Sequence, residues 1–177
     1  SLFLKRFHAD KNKLNKIIAI SSNPKIIEID DGLSDPHSGK QFVKRLWLDN
    51  GSGLIYKPRD ISLLQKLSSV LDELGKDPEG ISLKIPACLA CDEHYGWAEL
   101  ISHKECRSKQ QVETYYKHCG QLAALLYITR TNDIHHENLI ACGDQPVIVD
   151  TDTLFYPGFY DLIENSDDFS KNYIELA

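Results

Sequence analysis

Asp133-Ile134-His135-His136-Glu137-Asn138-Leu139-Ile140-Ala141-Cys142, answered by Val149-Asp150-Thr151-Asp152, is the stretch that decides the fold. An Asn stands five residues after the first Asp, and a second Asp stands twelve residues after that Asn. Between them, Asn138 to Cys142 and Pro146 to Val149 are short apolar runs around the turn Gly143-Asp144-Gln145, which predicts a β-hairpin. Such a hairpin holds an amide oxygen at one end and a carboxylate at the other, hard donors suited to Mg2+. Asp152 lies two residues beyond Asp150, on the same side of an extended segment, and adds a third donor. Asp133, ahead of the hairpin, is placed to orient or deprotonate a hydroxyl nucleophile. A loop of solvated acids is the bland alternative, and the intervening hairpin weighs against it.

Upstream of this stretch the pattern is periodic. From Lys109 to about Arg130, Val112, Tyr115, Tyr116, Cys119, Leu122, Ala123, Leu126 and Tyr127 recur at steps of three and four, predicting a long helix that feeds the Asp133 loop. Before it, residues 82–91 and 96–101 read as strands. Ile61, Leu64, Leu67, Leu71 and Leu74 mark a helix capped by Asp60 or Ser62 and ended by Gly75 and Pro78. Phe42 to Leu48 and Leu54 to Lys57 flank Asp49-Asn50-Gly51-Ser52-Gly53, a hairpin signal, and Pro58 stops the second strand. Lys25 to Ile29 reads as a further strand. Phe3-Leu4-Lys5-Arg6-Phe7 with Leu14, Ile17 and Ile18 repeats at helical spacing, predicting an amphipathic helix that opens the chain.

The order is helix, strand, hairpin, helix, two strands, long helix, loop, hairpin. This predicts an α+β, protein/lipid-kinase-like two-lobe core, with residues 1–103 as the upper lobe and 104–177 as part of a lower one. In that arrangement Lys57, at a strand end 76 residues before Asp133, neutralises phosphate oxygens of ATP. The helix from Ile61 to Leu74 would brace it, with Asp72 or Glu73 as candidate partners. Glu99-Leu100-Ile101 falls at the connection between lobes, where adenine meets backbone groups. A surface lysine and an ordinary strand end are the plainer readings of Lys57 and Glu99. Asp35-Pro36-His37-Ser38-Gly39 stands where a glycine-rich phosphate loop is expected yet lacks its G-x-G-x-x-G spacing, which disfavours a conventional protein kinase.

Composition bounds these readings. Hydrophobic content of 42% and charged content of 26% over 177 residues describe an ordinary globular chain. A net charge of −6 argues against nucleic acid as a partner. No apolar run approaches the roughly 18 residues that span a membrane, and no secretory signal opens the chain, so a cytoplasmic location is expected. The five cysteines are an odd set for a disulfide framework. Cys88-Leu89-Ala90-Cys91 has half the spacing of a zinc site, but no matching second pair exists, so buried or half-buried thiols are expected.

Five blocks together resemble the dehydratase domain of class II lanthipeptide synthetases, the LanM type. They are Asp35 to Lys40, Leu54-Ile55-Tyr56-Lys57-Pro58-Arg59, Tyr95 to Glu99, Asp133 to Ile140 and Ile148 to Phe155. The resemblance implies a lipid-kinase-like core that phosphorylates Ser and Thr of a ribosomal precursor peptide with ATP and Mg2+. The phosphate is then eliminated to leave dehydroamino acids, which a separate cyclase domain joins to Cys thiols. It implies that Asp133 activates the hydroxyl, that Asn138, Asp150 and Asp152 surround the metal, and that Lys57 meets the phosphates. It ties Asp35, His37 and His135 to phosphorylation. Asp152 stands where the family has Glu, Ser34 where it has Gly, and Lys40 where it has Arg. The family's activation loop, the Arg/Thr pair of the elimination step, the leader-binding elements and the cyclase find no counterpart here. The absence of Met leads to the expectation of a processed chain or an excised piece of a larger protein, and the missing segments to that of a fragment or a truncated relative. The alternatives are a non-catalytic module that binds nucleotide or precursor peptide, and a small-molecule or lipid kinase, which the 35–40 loop and His135 fit poorly.

Overall fold

The computed structural model describes residues 2–17, 25–31, 42–77, 79–131, 134–151 and 154–155. The fold is α+β, with its elements in the order expected. Helix α1 spans Leu2–Ile17, and strands β1 (Ile26–Asp31), β2 (Lys44–Leu48) and β3 (Gly53–Lys57) follow. Helix α2 (Ser62–Leu74) leads to β4 (Cys88–Asp92) and β5 (Tyr95–Glu99), then α3 (Lys109–Ile128) to the hairpin β6 (Leu139–Cys142) and β7 (Gln145–Ile148). The first five strands form one antiparallel sheet in the order β1-β2-β3-β5-β4. The β2–β3 turn closes through Gly51 at φ +82°, a conformation that costs a residue with a Cβ.

Strand alternation gives this sheet two different faces. One face buries Leu46, Leu48, Leu54, Tyr56, Leu89 and Trp97 beneath α1. Helix α1 meets it with Phe3, Phe7, Asp10 and Leu14, all buried at steps of four, three and four. Asp10 interrupts an otherwise apolar stripe because its Oδ2 accepts the Trp97 indole N–H at 3.1 Å. The opposite face carries Ile55, Ala98, Cys88 and Cys91 and packs on Ile61 and Leu64 at the start of α2. Farther along α2, Leu67 and Leu71 turn to a second core built with Leu122 and Leu125 of α3 and Ile148 of β7. One helix therefore joins the sheet to the lower elements. Its first turn is served by Asp60, whose carboxylate accepts the Ser62 N–H at 2.7 Å.

Three readings of the sequence are corrected. Residues 82–87 are not part of a strand, and side-chain amides meet their backbone where a neighbouring strand was expected. Gln121 on α3 accepts the Ser82 N–H at 3.1 Å and donates to the Gly80 carbonyl at 3.2 Å. Gln145 on β7 accepts the Lys84 N–H at 3.0 Å and donates to the Ser82 carbonyl at 3.2 Å. The packed face of α3 is His118, Leu122 and Leu125, whereas Val112, Tyr116, Ala123 and Tyr127 of the expected stripe are exposed. Asp72 and Glu73 do not brace Lys57: both are exposed, and Glu73 pairs with Lys76.

Candidate functional site

Lys57 ends β3 facing away from α1, since its register partner is Gly96 while its neighbour Tyr56 faces Trp97 on the α1 side. It is buried, and its Nζ crosses from the sheet to the lower hairpin, donating to the Val149 carbonyl at 3.2 Å and to Asp150 Oδ1 at 3.4 Å. Pro58 carries the chain on from the strand, and Arg59 Nη2 reaches the same carboxylate oxygen at 3.2 Å. Two cations thus converge on one carboxylate at the seam between sheet and hairpin. The Asp150 side chain is 37% exposed there, against 11% for Lys57, so the carboxylate lies on the open side of the cluster.

The hairpin sets the far wall. Leu139 pairs with Ile148, and the Val149 N–H donates to the Asn138 carbonyl at 3.0 Å, so the ladder continues one step past both strands. Asn138 and Asp150 therefore stand at the same open end of the hairpin, beside Lys57 and Arg59. At the other end Gly143 takes φ +65°, and the turn is latched to its surroundings. His118 Nδ1 lies 2.7 Å from the Asp144 carbonyl, and the Cys106 thiol donates to the Gly143 carbonyl at 3.2 Å. Lys104 adds a parallel bridge to Cys142, its N–H donating to Ala141 at 2.9 Å while its carbonyl accepts from Gly143 at 2.8 Å. A carboxylate and an amide at the end of a braced hairpin are oxygen donors of the kind Mg2+ takes. Among the described residues no group of three or more His, Cys, Asp or Glu is placed to hold a metal.

The loop before the hairpin leaves α3 through Arg130, which takes a left-handed conformation at φ +51°. The Thr131 N–H donates to the Leu126 carbonyl at 3.0 Å across that turn, closing the helix end. His135 follows, exposed, with Nδ1 accepting the Glu137 N–H at 3.3 Å and its carbonyl accepting from Asn138 at 3.0 Å. It shapes the turn that delivers Asn138. Asp133, Asp152, Asp35 and His37 lie outside the described residues.

Glu99 ends β5, and its carboxylate is engaged by Lys84 Nζ at 3.0 Å and the Ala87 N–H at 3.3 Å. Its own N–H donates to the Ala87 carbonyl, and that of Leu100 to the Gly53 carbonyl. Ile101 is buried, and among the described residues no backbone partner takes its amide or carbonyl.

Arg59 is the residue whose position sequence reasoning did not assign. Its signal was present: Lys57-Pro58-Arg59 sets two cations two residues apart at the exit of a strand. Gln121, Gln145 and His118 carry no such signal, because an amide or imidazole on a helix or strand reads as solvated surface.

Comparison with known proteins adds the following. Residues 1–175 match the family described as a domain of unknown function, DUF4135. The chain is 29% identical over 164 residues to the lacticin 481/lactococcin biosynthesis protein LcnDR2 of Lactococcus lactis subsp. lactis. That alignment covers 88% of this chain and 17% of the relative. A solved structure, described as a fructosamine-3-kinase of Thermobifida fusca YX-ER1, aligns over 78% of this chain and 71% of that one, at 11% identity and a TM-score of 0.35.

Proposed function

The chain belongs to the DUF4135 family, and we propose that it forms the ATP-binding, kinase-like core of a lanthipeptide dehydratase. The likeness to a lantibiotic biosynthesis protein over 88% of the chain supports a role in lanthipeptide modification. The observation that carries the phosphoryl-transfer reading is the approach of Lys57 Nζ, from the sheet, to within 3.4 Å of Asp150 Oδ1 at the hairpin end. A strand cation facing a carboxylate across a seam is the arrangement needed to hold a polyphosphate between a positive wall and a metal-binding one.

In this reading residues 1–103 form the upper lobe and 104–177 part of the lower. Lys57 and Arg59 meet phosphate oxygens, and their placement on a strand and a proline-stiffened exit lets them do so at little entropic cost. Asn138 and Asp150, with Asp152, hold Mg2+, which when bound offsets the charge of the phosphates. The backbone at Glu99 and Ile101 faces adenine. Asp133 takes the proton from the Ser or Thr Oγ of the precursor peptide, with His135, Asp35 and His37 serving the same phosphorylation step. Loss of the phosphate from the modified peptide then gives the dehydroamino acid, and the thiol addition that follows belongs to a cyclase domain elsewhere in the synthetase.

Calorimetry of ATP binding to the intact protein, with and without Mg2+, tests this. Binding that requires Mg2+ and weakens at least about tenfold in Asp150→Ala, about 1.4 kcal/mol, is the expected result. A folded protein that binds the precursor peptide but no nucleotide would instead make this chain a non-catalytic peptide-binding module.

A further inference from the structure

Cys88 and Cys91 lie on the edge strand β4, and a bulge changes what their spacing means. In a regular strand residues three apart point to opposite faces about 10 Å from each other. Here Cys88 pairs with Ala98, Ala90 with Trp97 and Cys91 with Gly96, so three residues of β4 cover two steps of β5. The thiols therefore share a face, and both pack in the cluster of Ile61, Leu64 and Ala98, while Leu89 and Ala90 belong to the core beneath α1. Two ladder steps separate their Cα atoms by about 6.8 Å, the upper end of the roughly 4.4–6.8 Å a disulfide spans. Gly96 carries no side chain between them, and the Ile61 side chain packs over it.

We propose that Cys88 and Cys91 form a redox-active dithiol that closes to an intramolecular disulfide, a modification site independent of the nucleotide reading. A disulfide oxidant of the glutathione class completes the chemistry. The Cys91 thiolate attacks one sulfur of oxidised glutathione and releases the first glutathione thiol; Cys88 then displaces the second from the mixed disulfide. The dithiol loses two electrons and two protons, and two molecules of reduced glutathione leave. Burial first, then the charge and hydrogen bond of Cys91, push the Cys88 thiol up to about 12, which makes Cys88 the resolving partner. A bond formed at the edge of its geometric range is readily reduced, so the step is reversible. It also removes the thiol proton that Cys91 donates to Gln65 Oε1 of α2 at 3.6 Å, and with it a tie between that helix and the sheet.

The test is peptide mapping of the intact protein after treatment with oxidised glutathione and rapid alkylation. Residues 85–104 form one tryptic peptide holding Cys88 and Cys91 and no other cysteine. The expected product is that peptide short of two hydrogens, unalkylated, free of glutathione and restored by a dithiol reductant. Cys88→Ser should instead trap glutathione on Cys91. Recovery of the peptide alkylated at both cysteines, or carrying glutathione on each, would overturn the proposal.

Discussion

Lys57 and Arg59 meet Asp150 at the seam between sheet and hairpin, the place the proposed function gives to the phosphates. If the proposed function holds, replacing Lys57 with Met should lower precursor-peptide phosphorylation by the intact protein about a hundredfold or more, while far-ultraviolet circular dichroism stays unchanged. A double-mutant cycle across Lys57 and Asp150 should give a coupling of only about 0.5–1 kcal/mol in denaturant unfolding, because the carboxylate is 37% exposed. Function and stability therefore separate at this pair. Lysine and aspartate were legible in the sequence as ends of predicted strands; their meeting was not, because the register between sheet and hairpin is set by α2 and the 80–87 segment. Tyr95 supports a different prediction. Burial and the Asp10 carboxylate raise its hydroxyl from 10.0 to about 12, and the Arg6 guanidinium lies 4.4 Å over its ring. Below pH 10 the phenol is protonated in both native and unfolded chains, and the stabilisation is complete. Between 10 and 12 the unfolded chain binds fewer protons, so stability falls as pH rises. Tyr95→Phe should make that fall shallower when unfolding free energies are measured across this range.

At the scale of elements, α3 and the extended segment beside it are instructive. The segment at 82–87 resembles a strand in sequence, yet its backbone meets the amides of Gln121 and Gln145 instead of a neighbouring strand. Gln121→Ala should therefore speed hydrogen exchange at the Ser82 amide, and Gln145→Ala at that of Lys84, with little change elsewhere. The start of helix α3 is closed by Ser108 Oγ, which accepts the Gln111 N–H at 3.2 Å, and by Gln111, which reaches back to the Arg107 N–H at 2.6 Å; in length the helix was legible. Its packed face was not, since apolar residues at helical spacing lie on both flanks and only tertiary contacts choose between them. Two glycines give opposite outcomes. A Cβ on Gly120 in α3 meets nothing within 4 Å, so Gly120→Ala should stabilise by about 0.5–1 kcal/mol. A Cβ on Gly80 would fall 2.1 Å from the Leu74 carbonyl oxygen, so Gly80→Ala should destabilise in the same assay.

Over the whole molecule, α2 couples two cores, one under the sheet and one against α3 and the hairpin. Leu67→Ala, at the centre of the second, should cost about 2–5 kcal/mol, whereas Tyr127→Ala, at an 86% exposed side chain, should stay within about 0.5 kcal/mol of the parent. The described helices include none long and apolar enough to cross a membrane. The chain spans 17% of the length of the lantibiotic biosynthesis protein it matches, and the α+β order of its elements was readable from apolar periodicity and turn residues alone. The two tryptophans, the only ones in the chain, lie on opposite faces of one sheet. Trp97 is sealed beneath α1 with its N–H on Asp10, and Trp47 is half-buried on the face that carries Lys57. Intrinsic fluorescence thus contains two local reporters, a blue-emitting indole that reddens only when α1 lifts away, and a redder one responsive to whatever docks against the Lys57 face. Single Trp→Phe variants would resolve the two signals without an added dye.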